Sequence, residues 1–185
     1  MVKGRRVCSR KVIFMTGQTQ TPTQVENDEP TGMLKWLWLS GLVVVLDQVT
    51  KIAISNSFQM YEKMEITSFF NLTLAHNPGA AFSFLANEGG WQRWFFTAIA
   101  IVISVVLTVW LHRLPKADKW MGICLALVLG GAIGNLIDRV AYGYVVDFLS
   151  FHWGGSYFPA FNVADSGITV GAFMMAIDVI RNPQK

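Results

Sequence analysis

Four long apolar runs constrain this chain more than any motif in it: Trp36 to Ile54, Trp94 to Leu111, Trp120 to Ile137 and Ala164 to Ile180. At a helical rise of about 1.5 Å per residue, each suits a hydrocarbon layer of about 30 Å. Lipid offers no partners to backbone amides, so such runs cross it as helices. The 185-residue chain is 52% hydrophobic and 15% charged, too apolar for an ordinary soluble domain. The expectation is a membrane all-α protein, a four-transmembrane-helix bundle forming one integral domain over 33–185. Residues 1–32 start basic, continue Thr/Gln-rich and end acidic; they are expected to be a disordered cytoplasmic leader.

Basic residues orient the spans. Arg113, Lys116 and Lys119 crowd the short loop between spans two and three, Lys35 precedes span one, and Arg181 and Lys185 follow span four. The other side keeps mainly Lys63, Arg93 and Arg139 over much longer segments. By the positive-inside rule both termini are cytoplasmic, and the segments 55–93 and 139–161 face outward. The first outward segment carries β-formers such as Ile66, Thr67, Phe70, Leu72 and Leu74, which predict a small sheet.

Polar residues inside the spans cluster in depth. Lys51, Asn135 and Asp165 each lie about 15 residues from the cytoplasmic end of their helix, hence roughly 22 Å across the membrane. Asp47, at i−4 from Lys51, lies slightly deeper, and Asp138 and Arg139 reach the outer edge. Three helices thus bring polar groups to one level, which points to a site.

Asp147 and Asp165 stand out among apolar residues, in Val-Val-Asp-Phe (145–148) and Phe-Asn-Val-Ala-Asp-Ser (161–166). Gly154, Gly155 and Pro159 separate them, so they sit on different elements and can face each other. Two close carboxyls in a dry site tend to share one proton, the arrangement an aspartic protease uses. The alternative is an ordinary loop aspartate and a helix N-cap. Asn77 is either a site residue or a turn residue bonding its own backbone. Lys51 either snorkels to the interface or pairs with Asp47. Asn135, Asn162 and Arg139 orient the carboxylates or knit helix ends, and Asp178 with Arg181 reads as an interfacial pair outside the site.

Composition narrows the chemistry. Cys8 and Cys124 give no disulfide framework, and His76, His112 and His152 form no zinc-peptidase pattern. The net charge of +3 speaks of membrane orientation and not of nucleic acid. A proton-coupled transporter is the rival reading, since intramembrane carboxylates mark such paths, although no inverted repeat is visible. A non-enzymatic assembly protein is a third, and would leave the aspartate pair without a purpose.

The motifs Asp-Gln-Val-Thr-Lys (47–51), Asn-Pro-Gly-Ala-Ala-Phe-Ser (77–83), Gly-Asn-Leu-Ile-Asp-Arg (134–139), Val-Asp-Phe (146–148) and Phe-Asn-Val-Ala-Asp-Ser (161–166) occur in that order. Together they resemble the bacterial lipoprotein signal peptidases, the signal peptidase II family, over about Trp36 to Arg181. Pro78 departs from the small polar residue expected there, which should alter the turn and leave activity intact. The resemblance implies a small periplasmic β-element cradling the substrate. It implies Asp147 and Asp165 as the catalytic pair, supported by Asp47, Lys51, Asn77, Asn135, Asp138, Arg139 and Asn162. It implies no metal and no organic cofactor. The implied substrate is a prolipoprotein with diacylglycerol on the cysteine after the scissile bond, processed at the bacterial inner membrane among membrane lipids by a monomeric enzyme whose active site faces the periplasm.

Overall fold

A computed structural model describes residues 32–79 and 91–182. Residues 1–31 of the leader therefore lie outside the described residues, as do Ala80 to Ser83 of the Asn77–Ser83 motif. Four helices are long and apolar enough to cross a membrane: α1 Leu37–Ser57, preceded by a 3-10 turn at Leu34–Trp36, α2 Trp91–Arg113, α3 Lys119–Ala141 and α4 Val163–Arg181. Each runs one to four residues past an end that hydropathy alone gives it. The extensions are mostly polar residues, which hydropathy discounts but a helix ladder accommodates.

Helix α3 is the hub. Its most apolar window is 61% buried, against 22%, 22% and 17% for α1, α2 and α4, so the other three wrap it and turn their remaining faces toward lipid. Val45, Val49 and Ile52 of α1 and Val102, Val105 and Val106 of α2 are exposed, as a lipid-facing surface requires. Small residues explain why α3 can be central. A Cβ on Gly130 would come within 2.8 Å of the Ser40 carbonyl oxygen and Val43 Cβ, and one on Gly131 would collide with the Ala164 carbonyl oxygen. Absent side chains thus seat α1 and α4 directly against the α3 backbone. Ser40 adds a buried hydrogen bond from its Oγ to the Ala126 carbonyl, 2.8 Å. At the α2–α3 loop end, Met33, Leu111, Met121, Leu125 and Leu129 form the main core.

The expected small sheet is present and larger than the first outward segment predicts. Strands β1 Lys63–Thr67 and β2 Phe70–Asn77 form the expected hairpin, and β3 Val145–Trp153 and β4 Ser156–Tyr157 from the second outward segment complete an antiparallel sheet of order β1-β2-β3-β4. Ile54, Leu74, Val146 and Phe148 pack beneath it. Along β2, Leu72 faces Leu149 while Ala75 faces Asp147, so β2 has one extra residue there. That bulge resets the faces of the ladder.

The chain after β3 reverses through Gly154 and Gly155, both at positive φ (+56° and +87°), a region glycine enters without strain. Phe161 then returns to β3, exchanging backbone hydrogen bonds with Leu149 (2.8 and 3.0 Å). Helix α4 starts immediately afterward, so its first turn is delivered to the strand that carries Asp147.

Candidate active site

Asn162 caps α4: its Oδ1 accepts from the Asp165 amide at 2.8 Å. This corrects one alternative for Asp165, which is not the N-cap but a first-turn residue with its carboxylate free to reach elsewhere. Asp147 is likewise no loop residue; it lies on β3 and is 3% exposed.

Three asparagine amides converge on these two carboxylates. Asn77 Nδ2 donates to Asp147 Oδ2 at 3.0 Å and Asn162 Nδ2 to Asp147 Oδ1 at 2.7 Å. Asn135 Nδ2 donates to Asp165 Oδ1 at 2.7 Å, and Asn162 Nδ2 also reaches Asn135 Oδ1 at 3.2 Å. The two aspartates are therefore linked through one pair of asparagines. Asn77 fills both roles open to it, since its Oδ1 also accepts from the Gly79 amide at 3.0 Å across exposed Pro78.

Behind the carboxylates lies a buried ionic triad. Lys51 Nζ sits 2.8 Å from Asp47 Oδ2 and 2.8 Å from Asp138 Oδ2. Lys51 does not snorkel; it is 2% exposed and pairs with Asp47 and with a second aspartate from α3. In a dry interior an unpaired ammonium would be costly, and two carboxylates with further hydrogen bonds offset that cost. Asp47 Oδ1 accepts from the Ala164 amide (2.9 Å) and Asp138 Oδ2 from the Val146 amide (3.1 Å), so the triad ties α1 and α3 to the start of α4 and to β3.

Arg139 is placed differently. It donates to the Asn135 carbonyl at 3.3 Å and its guanidinium lies 5.7 Å from the Phe96 ring center, within electrostatic reach of both Asp165 and Asp147. Asp178 is buried near the opposite end of α4, where its Oδ1 accepts from Asn182 Nδ2 at 2.8 Å, away from the site as expected. One contributor escapes the sequence reading. Gln48 Nε2 reaches Asp138 Oδ1 at 2.9 Å and the Gly134 carbonyl at 3.2 Å. Its signal was its place between Asp47 and Lys51 in the first motif.

The surroundings tune Asp147. Burial pushes its carboxyl up to about 7, with the Asp165 charge acting in the same direction, so near neutrality it exchanges a proton readily. Beside Asp165 runs a groove of about 480 Å³ walled by Phe158, Pro159, Phe161, Thr169 and Val170. A larger aromatic hollow of about 560 Å³ at the sheet end, lined by Phe69, Phe151, Trp153 and Tyr157, holds neither aspartate.

Comparison with known proteins places the chain in a family. The family described as signal peptidase (SPase) II matches residues 39–181. The chain belongs to the signal peptidase II family. A lipoprotein signal peptidase of Pseudomonas putida is 58% identical over 153 residues, 82% of this chain and 90% of that protein. One from Pseudomonas aeruginosa is 57% identical over 153 residues, with the same two shares of 82% and 90%. A bacterial membrane enzyme structure obtained by the in meso method at 2.3 Å superposes with a TM-score of 0.74 at 31% identity, covering 84% of this chain and 94% of that one. Another at 1.9 Å gives 0.73 at 32% identity, covering 83% and 98%. As a member of the signal peptidase II family, the chain is a multi-pass membrane peptidase. The transporter and assembly-protein readings fall away.

Proposed function

We propose that this peptidase removes signal peptides from diacylglyceryl-modified prolipoproteins at the bacterial inner membrane, cutting just before the lipidated cysteine, with Asp147 and Asp165 as its reacting pair. The observation that carries the reading is the convergence of two aspartates from different elements, strand β3 and helix α4, held by amide donors from Asn77, Asn135 and Asn162. Nothing in packing alone calls for two carboxylates to be collected and aimed in this way.

The chemistry follows from one shared proton. The ionized member of the pair takes a proton from water as the water oxygen bonds to the scissile carbonyl carbon. The protonated member hydrogen-bonds the carbonyl oxygen, where negative charge develops. Collapse of the tetrahedral intermediate breaks the C–N bond, and a proton passes to the leaving amine. The amine is the new N-terminus of the lipidated cysteine. The pair titrates as a unit, so the two roles belong to the pair. Asp47, Lys51 and Asp138 hold the framework, and Arg139 braces the outer end of α3.

Substrate lipid supplies position. The groove beside Asp165 is apolar and opens along α4, which suits acyl chains attached one residue beyond the scissile bond. Each buried methylene contributes about 0.8 kcal/mol, and holding the bond at the carboxylates converts that affinity into rate. In this reading the enzyme works as a monomer within membrane lipid, both termini are cytoplasmic, and the sheet and site face the periplasm, as the basic residues of the short loop direct.

The test compares a diacylglyceryl precursor with its unlipidated form in the same micelles, following products by gel shift and mass spectrometry. The expected result is release of an intact signal peptide ending just before the cysteine, with kcat/KM at least about 100-fold higher for the lipidated form. Equal rates would contradict the assignment of the groove to lipid, and cleavage elsewhere would contradict the substrate.

A further inference from the structure

The Lys51 ammonium meets three acceptors: Asp47 Oδ2 and Asp138 Oδ2, each at 2.8 Å, and Asn135 Oδ1 at 3.1 Å. Pairing with the two carboxylates would neutralize it without the third. The third falls on an amide that has two nearly isosteric orientations, with oxygen and nitrogen exchanged. As it stands, Asn135 offers Oδ1 to Lys51 and to Asn162 Nδ2, and Nδ2 to Asp165 Oδ1. Reversed, its NH₂ would face an ammonium and another NH₂, while its oxygen faced a carboxylate.

The other two asparagines are oriented locally. The Gly79 amide holds Asn77 Oδ1, and the Asp165 amide holds Asn162 Oδ1, both backbone donors left free by a turn or a helix start. Asn135 lies in the interior of α3, where the helix ladder uses every nearby N–H. Its orienting donor has to come from another element.

We propose that Lys51 is a positioning residue: its ammonium, anchored by Asp47 and Asp138, locks the Asn135 amide so that its N–H points at Asp165. This rests on the reading of Asp147 and Asp165 as the reacting pair. Lysine from α1 thereby acts on the chemistry through one intervening side chain, and the buried triad has a task beyond joining helices.

A double-mutant cycle tests it. Lys51→Met is made in an Asp47→Asn background, so that the doubly changed triad has the wild-type net charge and an Oδ1 remains for the Ala164 amide. Relative to that background, kcat on the lipidated precursor is expected to fall roughly 10- to 100-fold, with KM changed less than about threefold. With Asn135→Ala also present, Lys51→Met is expected to cost less than about twofold more; with Asn77→Ala present it costs its full factor. Lys51→Arg, which retains N–H donors, recovers most of the loss. If Lys51→Met costs as much without the Asn135 amide as with it, the positioning role is overturned and the lysine merely joins helices. Should that variant not accumulate, Lys51→Leu with Asp138→Asn runs the same cycle with the same two decisive outcomes. Undiminished processing by Asp147→Asn and Asp165→Asn would instead sink the reacting pair itself, independently of the cycle.

Discussion

Burial pushes the Asp147 carboxyl up to about 7 from an ordinary value of 3.8, with the Asp165 charge second, while Asn77, Asn162 and Lys51 pull it back. The folded protein thus binds this proton more tightly than the unfolded chain. Its contribution to stability is complete below pH 3.8 and is lost as pH rises through about 7. Asp147→Asn should therefore gain in Tm over the parent at pH 8 by more than at pH 5, when both are melted in the same detergent; a gap that does not widen would contradict the buried assignment. In the proposed mechanism the reacting pair must be singly protonated, so kcat/KM should fall on the alkaline side with an apparent pKa of about 7. Asn162 allows helix capping to be separated from carboxylate binding. Asn162→Ser keeps a good N-cap but removes the amide on Asp147, and should lower kcat roughly 10- to 100-fold, a loss of about 1.5–3 kcal/mol, with little change in Tm. Equal losses in Tm and activity would make Asn162 a cap alone.

At the scale of elements, close approach to α3 is the critical contact. Gly131→Ala should destabilize the detergent-solubilized protein by about 1–3 kcal/mol, because its Cβ meets the α4 backbone at Ala164, and should lower activity by moving Asn135 and Asp165 apart. Gly41, whose Cβ would meet nothing within 4 Å, is the control: Gly41→Ala should be neutral or stabilizing by up to about 1 kcal/mol. Thermal melts of the two variants distinguish these outcomes. The same elements mark how far the sequence could be read. The spans were visible because lipid imposes one long, one-sided rule on composition, and the levels of Lys51, Asn135 and Asp165 followed from helical rise. Strand β3 was not visible. Its residues form a sheet only by pairing with β2, some 70 residues earlier, and its two faces serve a core and a site rather than a core and water. Nor could depth alone supply the Lys51–Asp138 pair, which depends on the rotation of α1 against α3. Arg139 and Asn135 are four apart in one motif, yet only Asn135 hydrogen-bonds a site carboxylate among the described residues; spacing does not separate those placements.

For the whole molecule, charge and depth combine into an orientation. In a Cys8→Ser background, exposed Ser156, at the turn into β4, when changed to cysteine should react with a membrane-impermeant maleimide added outside spheroplasts, while buried Cys124 stays unlabeled. Labeling of Ser156→Cys only after lysis would invert the topology. A chain beginning at Met33 retains that fully buried residue, whose backbone nitrogen, then the terminal ammonium, still has the Leu111 carbonyl oxygen (2.9 Å) as its acceptor, and should process precursor close to the full-length rate at equal membrane levels. A large loss would give the leader a task. In the proposed mechanism one peptidase unit uses two aspartates, from β3 and α4, as a single reacting pair. The most direct measurement is single-turnover cleavage of a diacylglyceryl precursor by purified wild-type, Asp147→Asn, Asp165→Asn and double-variant protein, each verified as folded by its melting profile. Each single variant should lose at least about 10³-fold, with little further loss in the double, because two carboxyls acting as one unit fail together. Near-wild-type turnover by either single variant, or losses that multiply in the double, would contradict that mechanism.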